Sequence, residues 1–348
     1  MSQRTLAGVL AVPLVLALWL AALLVPLPYV TYSPGLTVDV LAADDGEPRI
    51  EVEGAKTHTD DGTLLLTTVY VTRPERRVNF FGVMEAWFDR DRAVYPYEAV
   101  YAPDETRESA EAEAAYEMAS SQDTAAAVAL RSLGYDVPEV VTVADVAQDM
   151  PAAGRLQQGD VIVSVDGTQV DDPTTVGELV DAATPGEPVT FVVERDDVEK
   201  KVAVVPATVD GKNRVGVTMG QDFDLPVDVT LNVNPAIGGP SAGLVFALGI
   251  TDTLTDGSLT GGGTVAGTGT IAGDGAVGPI GGIAQKIAAS REQGAGIFLV
   301  PAANCAEALG APAGDMRLVR VESFDDALAS VRSWGENHDA TLPTCERN

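Results

Sequence analysis

Two glycine turns, each opening an apolar helix, place the strongest constraint on this chain. In the first turn, Gly238 and Gly239 come before Ser241, and an apolar run follows over residues 244–250. Glycine allows the backbone to turn tightly, so this pattern predicts a sharp turn that leads into a buried helix. Ser241 then lies at a helix N-terminus, where unpaired N–H groups stabilise negative charge.

Two interpretations of Ser241 follow from this position. In the first it is the nucleophile of an acyl-transfer enzyme, with backbone N–H groups of the turn as oxyanion donors. Gly239, Pro240 and Ala242 would then be the supporting residues of the turn. In the second, Ser241 is an N-cap residue with no chemical role.

The second turn is formed by Gly281 and Gly282, and a helical pattern begins at Ile283. Lys286 lies beside the apolar face of this helix, next to Ile287. Burial would lower the pKa of a lysine amine, and a neutral amine can take the proton of a serine hydroxyl. The alternative is a surface lysine whose stem lies along apolar residues.

Three motifs together resemble the proteolytic domain of Lon proteases, peptidase family S16. They are Gly-Pro-Ser-Ala-Gly (239–243), Gly-Thr-Gly-Thr-Ile (267–271) and Val-Gly-Pro-Ile-Gly-Gly-Ile-x-x-Lys (277–286), within a matching region of about 215–332. The resemblance implies that Ser241 is the nucleophile, Lys286 the general base and Thr268 a residue that orients the lysine. Without the resemblance, Thr268 could equally be an ordinary strand threonine.

Residues 119–207 form a different unit. Pro151-Ala, Gly-x-Leu, Gly-Asp-x-Ile and Val-Asp-Gly follow one another over residues 151–167, and Asp166-Gly167 predicts a tight hairpin. This order resembles a bacterial PDZ domain, which implies peptide binding by addition of a strand to a sheet edge. The loop at residues 133–135 is a candidate for carboxylate binding; a purely structural PDZ domain is the alternative.

The N-terminal part divides into an apolar stretch and a β-rich segment. Residues 5–30 carry no charge after Arg4, which predicts a retained transmembrane anchor with a cytoplasmic N-terminus rather than a cleaved signal peptide. Residues 31–118 are predicted to be β-rich with an acidic helix or linker from 103, and without evident chemistry. The strand predicted at residues 62–71 could pair with the C-terminal sheet, which would make the PDZ domain an insertion.

The whole pattern predicts an α+β multidomain protein and resembles the membrane-anchored PDZ–Lon proteins of Gram-positive bacteria. We expect a cytoplasmic stub and anchor (1–30), a membrane-proximal segment (31–118), a PDZ domain (119–207), a Lon-type α/β proteolytic domain (208–335) and a tail (336–348). The resemblance implies a single-pass cell-membrane protein whose bulk is extracytoplasmic. It also implies unfolded or flexible protein substrates, and oligomers are compatible with it.

The composition of the chain argues against several classes of binding partner. The formal charge is -29, with 51 acidic and 22 basic residues, which argues against nucleic acid and against adhesion to anionic membranes through charge. No P-loop motif occurs in the sequence, so we expect ATP-independent activity and no cofactor. Cys305 and Cys345 form no metal-binding pattern; they would be one disulfide outside the cytoplasm, or two buried thiols.

Two alternatives remain open at this stage. Residues 239–243 also fit G-x-S-x-G, the nucleophile elbow of Ser-His α/β-hydrolases, for which His338 is the late histidine. We expect His338 to lie in a polar tail without apolar packing. The other alternative is a non-catalytic, membrane-tethered PDZ binding module with a degenerate protease fold.

Overall fold

The computed structural model describes residues 3–44, 46–74, 76–102, 105–195, 198–234 and 237–346. Parts of all five predicted segments lie outside the described residues: 1–2 of the stub, 45, 75 and 103–104 of the membrane-proximal segment, 196–197 of the PDZ domain, 235–236 of the proteolytic domain before the serine turn, and 347–348 of the tail. Within the described part of the chain, no helix is long and apolar enough to cross a membrane.

The helices occur throughout the chain. They are α1 (Gln3–Leu24), α2 (Phe80–Phe88), α3 (Arg107–Ser132), α4 (Pro173–Asp181), α5 (Gly243–Leu254), α6 (Ile283–Glu292), α7 (Cys305–Ala308) and α8 (Phe324–Glu336). Short 3-10 helices occupy Tyr97–Ala99, Pro240–Ala242 and Ala302–Asn304.

The strands fall into three groups along the chain. The first group is β1 (Tyr29–Asp39), β2 (Ala43–Asp44), β3 (Glu47–Pro48), β4 (Ile50–Glu53), β5 (Thr63–Val71) and β6 (Ala93–Pro96). The second is β7 (Glu139–Val146), β8 (Val161–Val165), β9 (Thr168–Gln169), β10 (Val189–Arg195), β11 (Val198–Val204), β12 (Ala207–Val209), β13 (Lys212–Arg214) and β14 (Val217–Phe223). The third is β15 (Asp228–Leu231), β16 (Thr264–Gly267), β17 (Thr270–Ile271), β18 (Val277–Gly278), β19 (Ile297–Pro301) and β20 (Arg317–Val321).

The chain folds into two compact units. Unit 1 comprises Met1–Leu133 and Val227–Asn348, and unit 2 comprises Gly134–Pro226, so unit 2 interrupts unit 1 in sequence. These bounds differ from the predicted domains. The boundary predicted at 118/119 falls inside α3, and the one predicted at 207/208 separates β14 from β7, with which it pairs.

Unit 1 is built on a mixed sheet in the order β20-β19-β16-β5-β1-β6. Strands β20, β19, β16 and β5 are parallel, whereas β1 is antiparallel to both β5 and β6. All five residues of β19 are buried, as expected for an apolar strand that is covered on both faces. The pairing predicted for residues 62–71 is confirmed, because β5 pairs with β16 at the centre of this sheet.

Two segments of unit 1 differ from what their sequence pattern favours. The glycine-rich run at 259–272 has the pattern of a strand hairpin, but no hairpin forms there, because β16 pairs with β5 and β19 whereas β17 pairs with β18. The acidic segment, predicted as a helix or linker, is helical, and its helix continues to Ser132 as the single helix α3. Its second half is buried from Ala125 to Leu130, because it packs on α5.

Unit 2 contains a sheet in the order β11-β10-β8-β7-β14, with β9 paired to β8. The two-residue turn between β8 and β9 is Asp166-Gly167, and both residues have positive φ, which confirms the predicted hairpin. Residues from these strands and from α4, including Phe191 and Val176, form the core of the unit.

Candidate active site

Ser241 lies in the 3-10 turn that leads into α5. Gly239 has φ +87°, a conformation that L side chains rarely adopt, and it allows the chain to enter this turn. Helix α3 holds the turn: the Gly239 N–H donates to Ala114 O at 2.9 Å, and Ser121 Oγ donates to Pro240 O at 3.1 Å. Ser241 is therefore held in place by α3, whose first part is the acidic segment that was predicted as a helix or linker without evident chemistry.

Lys286 lies in the second turn of α6, four residues after Gly282, whose φ is +71°. Ile283 and Ile287 on the same helix are fully buried, and Lys286 itself is only 2% exposed. Helix α6 packs against β1 and β5, which directs the lysine side chain toward the centre of the sheet. The predicted surface alternative for Lys286 is therefore wrong.

The structure brings Ser241, Thr268 and Lys286 together around one nitrogen. Lys286 Nζ lies 2.8 Å from Ser241 Oγ, 3.0 Å from Thr268 Oγ1 and 3.0 Å from the carbonyl oxygen of Thr67. The Thr268 hydroxyl donates its hydrogen to Ser241 O at 2.9 Å, so Thr268 Oγ1 accepts from Nζ. Thr67 O also accepts from Nζ, since a carbonyl has no hydrogen to give.

These contacts determine what a neutral lysine does at this position. A neutral amine has two hydrogens and one lone pair, and Thr67 O and Thr268 Oγ1 take the two hydrogens. The lone pair is then directed at Ser241 Oγ, whose hydroxyl donates to it. The arrangement is that of a base already in contact with the hydroxyl that it would deprotonate.

Burial of Lys286 favours the neutral form of its amine. Loss of solvation lowers the pKa of Lys286 from its ordinary value of 10.5 to about 7. No carboxylate pairs with Lys286 in the part of the chain that the structure describes, so no negative charge opposes this shift by stabilising the ammonium form. A large fraction of the molecules therefore carries a neutral amine at neutral pH.

A cleft of about 330 Å³ opens beside Ser241, which is itself half-buried. Ser241 and Lys286 line this cleft, together with residues of β5, β1, α3 and the loop before Ser241. These lining residues include Thr67, Val69, Tyr32, Met118 and Ile237. The nucleophile candidate is thus reachable from solvent through a largely apolar surface.

Thr67 is the contact that the sequence did not reveal. The segment 31–118 was expected to contain no chemistry, yet its strand β5 supplies a carbonyl to the lysine. A backbone carbonyl has no signature in a sequence, because any residue type provides one. The only available signal was the prediction that residues 62–71 join the C-terminal sheet.

The backbone hydrogen bonds of the turn at 239–243 limit which of its N–H groups could bind an oxyanion. Pro240 has no N–H, the Gly239 N–H is taken by Ala114 O, and the Gly243 N–H donates to Pro240 O. Among the residues of the turn itself, the N–H groups of Ser241 and Ala242 therefore remain as candidate oxyanion donors. The predicted roles of Gly239, Pro240 and Ala242 stay predictions.

The cysteines and the late histidine lie outside the cleft. Cys305 and Cys345 are joined by a disulfide, with their Cα atoms 5.2 Å apart. His338 stacks on Trp334 with ring centroids 4.2 Å apart, so the expectation that it lacks apolar packing is wrong. Neither aromatic residue lines the cleft of Ser241. No group of acidic, histidine or cysteine residues among those described could hold a metal ion.

Comparisons with known proteins place two domains on the chain. Residues 117–205 match the PDZ domain family, and residues 196–332 match the family described as Lon protease (S16) C-terminal proteolytic domain. These matches support a serine protease that bears a PDZ domain. More particularly, the two domains are those of a PDZ–Lon-type protease family, and the chain has both.

The individual relatives cover short parts of the chain. A probable periplasmic serine endoprotease DegP-like from Halomonas elongata is 36% identical over 74 residues, which are 21% of this chain and 16% of that protein. The PDZ domain of an SdrC-like protein from Listeria innocua is 23% identical with a TM-score of 0.22, covering 23% of this chain and 92% of that one. A solution structure from Geobacillus thermodenitrificans is 29% identical with a TM-score of 0.21, covering 23% and 94%.

Proposed function

We propose that the protein is an endopeptidase that hydrolyses peptide bonds with a Ser241–Lys286 dyad. The contact of 2.8 Å between Lys286 Nζ and Ser241 Oγ carries this proposal. The lowered pKa of Lys286 supports it, because a base must be neutral near the working pH. The match to the Lon proteolytic domain supplies the reaction class.

The reaction would proceed in two stages. Ser241 Oγ attacks the carbonyl carbon of the peptide while its proton passes to Lys286 Nζ. The resulting ammonium returns that proton to the leaving amine, which departs and leaves an acyl ester on Ser241. A water molecule then gives a proton to Lys286 and attacks the ester. The ammonium passes this proton to Ser241 Oγ as that oxygen leaves, which releases the new carboxyl end and regenerates the Ser241 hydroxyl and the neutral amine.

Two further groups would support these steps. The N–H groups of Ser241 and Ala242 would stabilise the negative charge that develops on the peptide oxygen. Thr268 would act as a positioning residue, because its hydroxyl fixes both the Ser241 carbonyl and Lys286 Nζ. Held in this way, the lysine amine keeps its lone pair on the serine hydroxyl.

Unfolded or flexible chains are the proposed substrates, and no ATP is needed. A cleft of about 330 Å³ accommodates an extended segment rather than a folded domain. The sequence has no P-loop motif that would bind a nucleotide through the known Walker A geometry. Equal rates of casein cleavage with and without ATP would agree with this proposal, and a dependence on ATP would contradict it.

Unit 2 would present peptides through one end of its sheet. Strand β7 is an interior strand with β8 and β14 on its two sides, so the predicted loop at 133–135 leads into a strand without a free edge. Strand β14 lies at the end of the sheet and contacts α4. We therefore propose that a bound peptide adds to β14 beside α4.

Covalent labelling tests the dyad directly. The full chain is treated with a fluorophosphonate probe, and labelling is followed by mass spectrometry of the modified peptide. We expect labelling at Ser241, its loss in Ser241→Ala, and a strong decrease in Lys286→Ala. Ser258→Ala is a matched control that removes another partly exposed serine hydroxyl, and we expect it to label like the wild type.

The two alternatives give different outcomes in the same experiment. Labelling that is abolished by His338→Ala but retained in Lys286→Ala would indicate a Ser-His hydrolase. An unlabelled wild type that also cleaves no member of a broad peptide panel would indicate a binding module with an inactive protease fold. Either result would refute the dyad.

We also propose that the chain is tethered to a membrane through residues 1–30, with its bulk outside the cytoplasm. The uncharged stretch at residues 5–30 supports the tether, and the Cys305–Cys345 disulfide supports an oxidising compartment. Extraction of membranes with carbonate and protease shaving of intact cells test both points. Release by carbonate, or protection of the bulk in intact cells, would contradict the proposal.

A further inference from the structure

Helix α2 has its aromatic residues on the outside. The exposed fractions are 45% for Phe80, 36% for Phe81, 70% for Trp87 and 77% for Phe88. At 100° per residue these side chains and Met84 fall within an arc of about 120°. The face that packs on the rest of unit 1 is formed by the smaller Val83 and Ala86. The core of unit 1 therefore does not account for the aromatic face.

An arginine cluster borders the same helix. Arg73, Arg76 and Arg77 are exposed in the connection between β5 and α2, and with Arg107 they line a cleft of about 800 Å³ that reaches Asn79, the N-cap of α2. The chain as a whole is acidic, with 51 acidic and 22 basic residues, so this cluster is a positively charged patch on an acidic protein.

The carboxylates nearby do not neutralise the whole cluster. Arg107 pairs with Glu111 at 2.7 Å, whereas Glu85 and Asp89 of the α2 region pair with Arg92 at 3.0 and 3.3 Å. Glu75, between the arginines in sequence, lies outside the described residues. Among the ion pairs of described residues, none includes Arg73, Arg76 or Arg77, and Arg77 lies over the Tyr97 ring at 5.3 Å.

The aromatic face continues onto the end of α1. Trp19 stacks on Phe81 with centroids 5.1 Å apart, and Asn79 Nδ2 donates to Leu23 O at 3.1 Å. The chain after α1 is also joined to this region, because the Leu27 N–H donates to Val78 O at 2.9 Å. Exposed apolar side chains at 23–25, including Leu24 at 69%, therefore adjoin α2.

We propose that this surface, the aromatic face of α2 with Arg73, Arg76 and Arg77, rests on an anionic lipid bilayer. Aromatic side chains of an interfacial helix enter the boundary between headgroups and acyl chains, and guanidinium groups bind lipid phosphates in two-point contacts. Both kinds of group lie side by side here, which is the chemistry of a bilayer surface. The net charge of the chain repels anionic lipid elsewhere, so the patch also sets which side of unit 1 approaches the membrane.

This inference is separate from the peptidase proposal. It needs neither the Ser241–Lys286 chemistry nor a membrane-spanning α1. The sequence predicted that the protein does not adhere to anionic membranes, because its total charge is negative. The present proposal modifies that expectation, because it depends on how the charges are distributed over the surface.

Fluorescence quenching of Trp87 tests the proposal on the full chain. The protein is combined with vesicles of brominated phosphatidylcholine, with or without phosphatidylglycerol, and the quenching in Trp87→Phe is subtracted to isolate the Trp87 signal from Trp19 and Trp334. We expect Trp87 to be quenched, and more strongly with phosphatidylglycerol. Added salt should reverse the gain, because it screens the arginine–phosphate attraction.

Charge variants identify the arginines. The triple variant Arg73→Gln/Arg76→Gln/Arg77→Gln should lose the gain from phosphatidylglycerol, with affinity for anionic vesicles lower by about a hundredfold, at about fivefold per side chain. The control Lys200→Gln/Lys201→Gln/Arg214→Gln removes as much charge from unit 2 and should behave like the wild type. Circular dichroism confirms that each variant is folded, and the salt titration of the wild type tests the same attraction without mutation.

Three results would overturn the proposal. Trp87 that stays unquenched in all vesicles would place the aromatic face in water. Unquenched Trp87 together with dimers in analytical ultracentrifugation would assign the face to a second copy of the chain. Equal loss of binding in the triple variant and its control would show that only total charge matters.

Discussion

Lys286 in unit 1 and Asp160 in unit 2 are both buried ionisable side chains, with exposed fractions of 2% and 1%, but their surroundings are opposite. Asp160 accepts two hydrogen bonds from Arg195, at 2.5 and 2.7 Å, and a third from the Gln157 N–H at 2.9 Å. Lys286 contacts two hydroxyls and one carbonyl, and no carboxylate among the described residues.

This difference separates a structural charge from a reactive one. The carboxylate of Asp160 fixes the turn before β8 to the end of β10, because both of its oxygens are held by Arg195. An unpaired lysine is driven toward its neutral form, so it holds a lone pair where a proton can be received. The substitutions below test this contrast, beginning with the largest expected effect.

Lys286→Ala should reduce peptide hydrolysis by about 10⁴-fold or more, because it removes the base from the site. The measurement is the rate of cleavage of an unstructured peptide by the purified chain. Lys201→Ala, a substitution of the same type in unit 2, is the control and should keep the wild-type rate. A Lys286→Ala rate within tenfold of wild type would remove the lysine from the mechanism.

Arg195→Met should destabilise unit 2 by about 3–5 kcal/mol, because it leaves Asp160 buried without its partner. Hydrogen exchange across β8 and β10 measures the effect. Arg214→Met changes an exposed arginine of the same unit and should have almost no effect. If Arg195→Met were as stable as that control, the pair would contribute nothing and the contrast with Lys286 would fail.

Thr268→Val should lower the rate of hydrolysis by about 10- to 100-fold, because the isosteric side chain cannot accept from Lys286 Nζ or donate to Ser241 O. Thr268→Ser keeps the hydroxyl and should recover most of the rate. Equal rates in the two variants would show that the hydroxyl does not position the lysine.

The rate should rise about tenfold between pH 6 and pH 8, because the neutral fraction of a lysine with a pKa of about 7 increases by that factor. The sign follows from the amine acting as a base, which is active only after it loses its proton. The pH profile of kcat/KM reports this titration. A profile that falls across the same range would contradict a neutral lysine base.

Asp252→Asn should raise the free energy of unfolding at neutral pH by a small amount, the smallest effect of this series. Burial, with the neighbouring carboxylates of Asp60 and Asp39, raises the pKa of Asp252. An acid with a raised pKa in the folded state favours folding below that pKa and loses this contribution as the pH rises through it. The stability gain should therefore disappear in acid, as measured by denaturant unfolding, and a gain of equal size in acid would assign it to another cause.

The sequence predicted the local structure around the candidate site better than the architecture of the chain. The glycine turns at 238–239 and 281–282 identified both helices of the site, because tight turns and apolar helices are local patterns. The division of the chain into two units was harder to predict from the sequence. Strands β1, β5 and β6 complete the sheet of unit 1, and their residues lie outside the region that matches the Lon proteolytic domain. Pairing between distant strands leaves no local signal, and neither does the contribution of a backbone carbonyl.

The long connection from β5 to α6 has a consequence for how activity first arises. Thr67 and Lys286 are 219 positions apart, and the contact between them requires both segments of unit 1 to have been synthesised and joined in one sheet. A nascent chain cannot display this lysine in its working environment until α6 has formed and packed against β5. A fragment without β5, produced by premature cleavage, would likewise lack the carbonyl that holds the amine. Under the proposed dyad mechanism, an incomplete chain therefore has no base in place.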